Sequence, residues 1–207
     1  MTQKSNTNPP AVLVEVAKII EIELDNCIKN CHLPLHLQEA ASYAVVNGGK
    51  RVRPALTLLC SEAVGGTRKQ AMPSAIAVEL IHCFSLVHDD LPAIDNDDLR
   101  RGKQTLHIKS GEAMAILAGD LLLPVAFSKL ISEQYSPEQQ AELTKILANA
   151  TSDMVIGQVY DTLGGLPKHL NALQQLEEIH RNKTGALIRG ACQMGAICGN
   201  ATPEEFE

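Results

Sequence analysis

The sequence has little aromatic character and no excess of positive charge. It contains no tryptophan, three tyrosines and three phenylalanines, so aromatic residues make up only 3% of the 207 residues. A site that stabilises a cation chiefly with aromatic rings is therefore disfavoured. The formal net charge is -6, whereas a nucleic-acid-binding protein presents a broad basic surface. We therefore expect no nucleic-acid partner.

Export signals and long apolar runs are also missing. The first ten residues are polar and end in two prolines, without the charged start and apolar run of a secretory signal. No stretch is both uncharged and apolar over the length that a transmembrane helix needs. We expect a cytoplasmic protein with no membrane span, in which residues 1–10 form a disordered tail and the six cysteines are reduced thiols.

Helical periodicity dominates the rest of the sequence. Apolar residues recur at spacings of three and four, and no alternating run between turn residues indicates a sheet. Long helices with short breaks predict an all-α antiparallel helical bundle, in a single domain over residues 11–207. The predicted helices cover residues 11–31, 35–46, 54–64, 75–91, 109–133, 137–160 and 172–198.

The region from Phe84 to His107 concentrates charge of both signs. Five aspartates fall within ten residues, and two arginines follow them directly. Carboxylate oxygens suit Mg²⁺, which often shares its coordination sphere with a substrate phosphate, and arginine binds phosphate oxygens bidentately. A solvated acidic turn is the alternative, but the aspartates follow an apolar stretch, where unpaired charge is costly. The sequence therefore predicts a site for a metal ion and phosphate in this region.

His82 lies seven residues before Asp89, so the two share one face of the predicted helix. A histidine in an apolar helix can also be a core residue that bonds to a carbonyl group. The alignment with Asp89 favours a ligand-binding role for His82.

A second group of cations follows a glycine pair. Lys50, Arg51 and Arg53 stand just before a predicted helix N-terminus, whose free amides attract anions. The segment is not a Walker P-loop, because no Ser or Thr follows the lysine. A solvated basic turn is the alternative. Weaker candidates, each of which could be a surface polar residue, are Lys183, Thr184, Gln158 and Asp161.

Together these motifs resemble those of the all-helical trans-prenyl diphosphate synthases, which have the isoprenoid synthase fold, and among them the bacterial-type farnesyl diphosphate synthases (geranyltranstransferases). The resemblance covers most of the chain, from Tyr43 to Gly199. The motifs that carry it are, in order, Gly48-Gly49-Lys50-Arg51-x-Arg53-Pro54, Asp89-Asp90-x-x-x-x-Asp95, Arg100-Arg101-Gly102, Leu117-Ala118-Gly119-Asp120, Gly157-Gln158-x-x-Asp161 and Lys183-Thr184-Gly185.

The resemblance implies a Mg²⁺-dependent prenyltransferase that condenses isopentenyl diphosphate with an allylic diphosphate, dimethylallyl or geranyl, to give farnesyl diphosphate. It also implies a homodimer. Carried over by position, the residues for Mg²⁺ and the allylic diphosphate are Asp89, Asp90, Asp95, Arg100, Lys183, Thr184 and Gln158. Those for isopentenyl diphosphate are Lys50, Arg53, His82 and Arg101.

Phe84 stands five residues before Asp89, where an aromatic side chain in this family floors the hydrocarbon pocket and stops chain growth early. A fifteen-carbon product is therefore expected, with a twenty-carbon geranylgeranyl product as the alternative, because Phe84 could simply be a core residue. An HD-type phosphohydrolase, suggested by His88-Asp89, would leave the basic residues unexplained.

The resemblance also implies that the sequence stops before the family's second aspartate-rich motif. We expect the chain to be the N-terminal two-thirds of the domain, without its C-terminal helices, and to be poorly active by itself. A non-catalytic subunit or fragment is the further alternative, although such a subunit has no need of the aspartate and lysine positions.

Overall fold

The computed structural model describes residues 10–206, whose regular structure is helical apart from one short hairpin, and this confirms the all-α prediction. The tail predicted for residues 1–10 lies outside the described part of the chain, apart from Pro10. The α-helices of the described residues are α1 (Ala11–Lys29), α2 (Leu35–Val45), α3 (Val52–Ala63), α4 (Arg68–Asp89), α5 (Leu106–Ser110), α6 (Glu112–Leu130), α7 (Pro137–Thr162), α8 (Ala172–His180), α9 (Ala186–Cys198) and α10 (Pro203–Phe206).

Helix α4 is the centre of the bundle. It packs against α3, α6 and α9, and eleven of its 22 residues are buried. We predicted its start at Ala75, but it begins at Arg68 because Thr67 and Gln70 form a reciprocal capping box, and the helix continues through Pro73. The site residues of α4 are therefore anchored in the helix that has more buried residues than any other in the described fold.

Helices α4 and α6 are long and apolar enough to cross a membrane, as judged by length and composition alone. The apolar window of α4 is 61% buried inside the structure, which fits the core helix of a bundle. The window of α6 is only 33% buried, and Ile116 and Leu117 are exposed on it. Helix α6 therefore presents an apolar outer face.

Two local features depart from the predicted pattern of helices and loops. Strands β1 (Leu99–Arg100) and β2 (Lys103–Gln104) form a hairpin, so the prediction of no sheet is wrong for these residues. Its two-residue turn has positive φ at Arg101 and Gly102, as a type I′ turn requires. The helix predicted over residues 172–198 is divided by a π-helical turn, Arg181–Gly185.

Candidate active site

The aspartates lie where α4 ends and the chain turns back on itself. Asp89 is the last residue of α4, and its carbonyl accepts a hydrogen bond from the Asp95 amide at 2.9 Å. Burial raises the pKa of the Asp89 carboxyl to about 6, opposed by Lys183 and supported by the nearby charge of Asp95. The backbone thus brings two carboxylates of the predicted metal site together.

Asp90 has a different environment. It is 4% exposed, and its Oδ1 accepts hydrogen bonds from Arg100 Nε at 2.6 Å and Nη2 at 2.5 Å. Arg100 also lies 3.6 Å from Asp97. Asp90 and Arg100 therefore neutralise each other, and both line a small cavity rather than the cavity that Asp89 lines.

A cavity of 420 Å³ opens between α4, α7 and the π turn. Aromatic and aliphatic side chains form much of its wall, and polar groups stand at one end. The predicted site residues that line it are Arg53, His82, Phe84, Asp89, Gln158, Lys183 and Thr184. Asp95 borders this group, since the Gln158 amide lies 3.4 Å from its Oδ1.

The π turn sets the position of Lys183. Its ammonium group lies 2.5 Å from Asp161 Oδ2 on α7, at the cavity that Asp89 also lines. The turn approaches α7 closely at Gly157, where a β-carbon would overlap the backbone of Asn182 and Lys183. π-Helical turns occur frequently at functional sites, and here one delivers the lysine of the Lys-Thr-Gly motif.

The glycine pair and the three cations form a second cavity, of 470 Å³. Gly48 and Gly49 both have positive φ, and Arg101 reaches across from the hairpin to donate a hydrogen bond to the Gly48 carbonyl. The residues that we predicted for isopentenyl diphosphate, and which line this cavity, are Lys50, Arg53, His82 and Arg101.

Arg53 and His82 line both cavities. Burial and, less strongly, the charges of Arg53 and Arg101 lower the pKa of His82 to about 3. The imidazole is therefore neutral, which lets one ring nitrogen accept and the other donate. The basic cavity and the cavity with the carboxylates consequently meet at a shared pair of side chains.

The carboxylates fit a metal that is held partly by its substrate. Among residues 10–206, no group of three or more His, Cys, Asp or Glu side chains comes together as a protein-only metal site. Mg²⁺, however, is commonly bound through one or two carboxylates plus substrate phosphates and waters. Asp89 and Asp95 provide hard oxygen donors of this kind, whereas Asp90 is occupied by Arg100.

Sequence reasoning missed two parts of the site. The apolar part of the 420 Å³ cavity is lined by Val155 and Val159 of α7 and by Leu163, the residue after α7, and all three are exposed. Their spacing of four is the signal that could have identified them. The second part is Glu79, a carboxylate at the basic cavity that is only 2% exposed. The sequence signal for Glu79 is that it is the only acidic residue in the apolar stretch of α4. Burial raises the pKa of Glu79, and Arg51 opposes that rise.

Comparison with known proteins identifies a family to which the sequence is similar. The sequence profile described as polyprenyl synthetase matches residues 34–207. The chain is 44% identical over 202 residues to the heterodimeric geranylgeranyl pyrophosphate synthase large subunit 1, chloroplastic, of Arabidopsis thaliana, covering 94% of this chain and 54% of that protein. It therefore spans about half the length of the curated relatives it matches.

Solved structures show the same fold. A farnesyl/geranylfarnesyl diphosphate (FPP/GFPP) synthase from Zymomonas mobilis has a TM-score of 0.86 and 35% identity, covering 94% of this chain and 72% of that one. A geranyltransferase from Legionella pneumophila also has a TM-score of 0.86, with 36% identity and coverage of 93% and 70%. The isoprenoid synthase bundle predicted from the sequence is thereby confirmed.

Proposed function

Because the chain belongs to the polyprenyl synthetase family, we propose that it is the part of a prenyl diphosphate synthase that joins isopentenyl diphosphate to an allylic diphosphate. The observation that carries the proposal is the meeting of two cavities, one with carboxylates and one with cations, at Arg53 and His82. Membership of the family supports a transferase of isoprenoid metabolism over an HD-type phosphohydrolase.

In this proposal the 420 Å³ cavity that Asp89 lines holds the allylic substrate. Its diphosphate lies at the polar end beside Asp89 and Asp95, and its hydrocarbon tail lies along Phe84 and Val159. Bound Mg²⁺ would supply charge neutralisation for the leaving diphosphate. Lys183 and Thr184 donate hydrogen bonds to the diphosphate oxygens and hold them more strongly as negative charge develops on ionisation.

The basic cavity holds isopentenyl diphosphate. Lys50, Arg53 and Arg101 neutralise its diphosphate, while the neutral His82 donates a hydrogen bond without adding charge. His82 and Arg53 also line the cavity proposed for the allylic substrate. The double bond of isopentenyl diphosphate therefore lies next to the allylic carbon that ionises. Such proximity converts a bimolecular encounter into an intramolecular one.

Arg100 has a second role in this proposal, besides the diphosphate contact that the family resemblance implies. Its pairing with Asp90 fits a residue that fixes the aspartate loop and the hairpin relative to each other. Asp90 and Asp97 engage Nε and Nη2 of Arg100, which leaves Nη1 for a diphosphate oxygen.

For the product, we propose the twenty-carbon geranylgeranyl diphosphate, because the curated relatives at 42–47% identity are named as geranylgeranyl pyrophosphate synthases. The fifteen-carbon farnesyl product is the second candidate. It is favoured by Phe84, which lines the hydrocarbon end of the cavity proposed for the allylic substrate. The Phe84 ring packs edge-to-face against the His88 ring, with 4.8 Å between the ring centroids.

The remaining parts of the proposal concern partners and place. We propose a homodimer, for which the apolar outer face of α6 supplies a candidate surface, and no nucleic-acid or membrane partner. A cytoplasmic location is consistent with six cysteines that form no disulfide, all of them within residues 10–206. Light scattering and cell fractionation test these statements.

The direct test incubates the protein with labelled isopentenyl diphosphate, Mg²⁺ and dimethylallyl, geranyl or farnesyl diphosphate. We expect chain elongation, with product chromatography separating fifteen- from twenty-carbon products. If the 207-residue chain is inactive by itself, as expected from the resemblance, the same assay uses a protein extended to the length of the relatives. A non-catalytic subunit would give no product in either form.

A further inference from the structure

Arg51 and Glu79 form a buried ion pair beneath the basic cavity. Their side chains are 1% and 2% exposed, and Arg51 Nη1 donates to Glu79 Oε1 at 2.7 Å. Removing two charges from water is costly, and apolar residues of similar size would often serve stability as well. A contribution to fold stability alone is therefore a weak explanation for this pair.

The Arg51 guanidinium connects the start of α3 to three other helices. Besides Glu79 on α4, its Nη2 donates to the Val45 carbonyl at the end of α2, at 2.6 Å, and lies 3.6 Å from Glu21 on α1. One side chain thus fixes the point at which the cationic segment enters α3.

The backbone of Arg51 is also unusual. It has φ 48° and ψ 39°, a left-handed conformation that is uncommon for a residue with a β-carbon. Such conformations persist only where the surroundings enforce them. Lys50 precedes this residue and Arg53 follows two positions later, so the dihedral angles of Arg51 set the relative directions of the two cations.

The hairpin restrains the other end of the segment through Arg101, which donates a hydrogen bond to the Gly48 carbonyl. Gly48 and Gly49 have positive φ and no side chains that could pack. Lys50 is exposed. The buried pair is therefore the anchor of this segment at its α3 end.

We propose that Arg51 and Glu79 are positioning residues for the second substrate. Their ion pair holds residues 48–53 so that Lys50 and Arg53 face one diphosphate, and it thereby sets the affinity for isopentenyl diphosphate without contacting it. This inference rests on the proposed function of the basic cavity.

Two variants and one control separate positioning from folding. Glu79→Gln keeps the size of the side chain but removes the charge that holds Arg51. Arg51→Met combined with Glu79→Leu removes both charges and leaves neither unpaired, so the protein folds even if the single variant does not. The control is Glu62→Gln, which breaks a solvent-exposed ion pair with Arg68 outside the cavities.

The measurement is calorimetric binding of isopentenyl diphosphate, together with binding of a thio analogue of geranyl diphosphate in the presence of Mg²⁺. For Glu79→Gln and for the double variant we expect a Kd for isopentenyl diphosphate about tenfold higher. The Kd for the geranyl analogue should change less than about twofold. Glu62→Gln should leave both constants unchanged.

A merely structural role would raise both constants together or neither, and either result would overturn the inference. Unchanged isopentenyl diphosphate binding in the folded double variant would overturn it even if Glu79→Gln failed to fold. If the unsubstituted protein did not bind isopentenyl diphosphate at all, the proposed function would fail and the inference with it. The two failures are therefore distinguishable.

Discussion

Gly157 on α7 packs directly against the backbone of Lys183 in the π turn. No side chain fits between them, because a β-carbon at position 157 would overlap the Lys183 amide nitrogen. The π turn and α7 therefore meet backbone to backbone. This contact places the Lys183 ammonium at the polar end of the 420 Å³ cavity that Asp89 also lines.

Replacing Gly157 tests the importance of that contact. We expect Gly157→Ala to push the π turn away from α7, to lower the free energy of unfolding by about 1–3 kcal/mol and to weaken diphosphate binding by displacing Lys183. Thermal unfolding and calorimetric binding measure the two effects. The matched control is Gly185→Ala in the same π turn, where the new β-carbon meets only the His180 carbonyl at an ordinary 3.4 Å. Equal effects of the two substitutions would contradict this role of Gly157.

Phe84 should limit product length. In Phe84→Ala, the hydrocarbon end of the cavity deepens, and we expect a longer prenyl product by chromatography. Phe127→Ala is the control, because Phe127 packs against the core and is not among the residues lining the cavity. An unchanged product in Phe84→Ala would show that Phe84 is a core residue only.

The stability of the protein should depend on pH through His82. Its pKa is about 3 in the folded state, because of burial and the charges of Arg53, Arg101, Arg51 and Arg100, against an ordinary value of 6.5. The unfolded state therefore binds a proton first, and stability falls as pH decreases from 6.5 towards 3. At pH 4.5 the loss from this residue is on the order of 2 kcal/mol.

Asp89 acts in the opposite direction, since its raised pKa favours protonation of the folded state. Comparing the unsubstituted protein with His82→Gln cancels that contribution. Denaturant unfolding between pH 4 and 7 should show a flatter pH dependence for His82→Gln. His169→Gln, on an exposed histidine, serves as the control. Parallel curves for the unsubstituted protein and His82→Gln would contradict the neutral, buried imidazole.

A buried polar cluster should contribute to stability without touching the site. The Tyr135 hydroxyl donates to the Gln70 carbonyl at 2.7 Å and lies 3.1 Å from Ser74 Oγ and 3.4 Å from Cys198 Sγ. Tyr135→Phe leaves these groups without that partner, and we expect a loss of about 1–3 kcal/mol. Tyr160→Phe, on a half-buried tyrosine, should cost less. Equal melting temperatures for the two variants would show that the cluster is energetically neutral.

Helix ends with a side-chain signal were predictable from the sequence. Pro137 and Pro203 mark the first residues of α7 and α10, and each is preceded by a capping hydroxyl, Ser136 or Thr202. Gly111, which separates α5 from α6, carries positive φ but was missed because apolar periodicity continues on both sides. Local capping chemistry thus predicted helix starts better than periodicity predicted breaks.

The π turn and the hairpin could not be derived from local preferences. Residues 181–185 include Asn182, Thr184 and Gly185, which weaken an α-helix without specifying π geometry, and the turn packs closely against Gly157, which is distant in sequence. The hairpin has only two residues in each strand, too few for an alternating pattern. In the site, the sequence identified the charged residues through their motifs, while the signals of Glu79 and of the α7 wall are weaker and packing was needed to place them at the cavities.

The central claim is that Asp89 and Asp95 hold an allylic diphosphate through Mg²⁺, and titration with the thio analogue of geranyl diphosphate tests it most directly. The account predicts binding that requires Mg²⁺ and that weakens by about tenfold to a hundredfold in Asp89→Asn, with Asp153→Asn, on an exposed carboxylate of α7, as the unaffected control. Equal binding with and without Mg²⁺, or unchanged binding in Asp89→Asn, would contradict it.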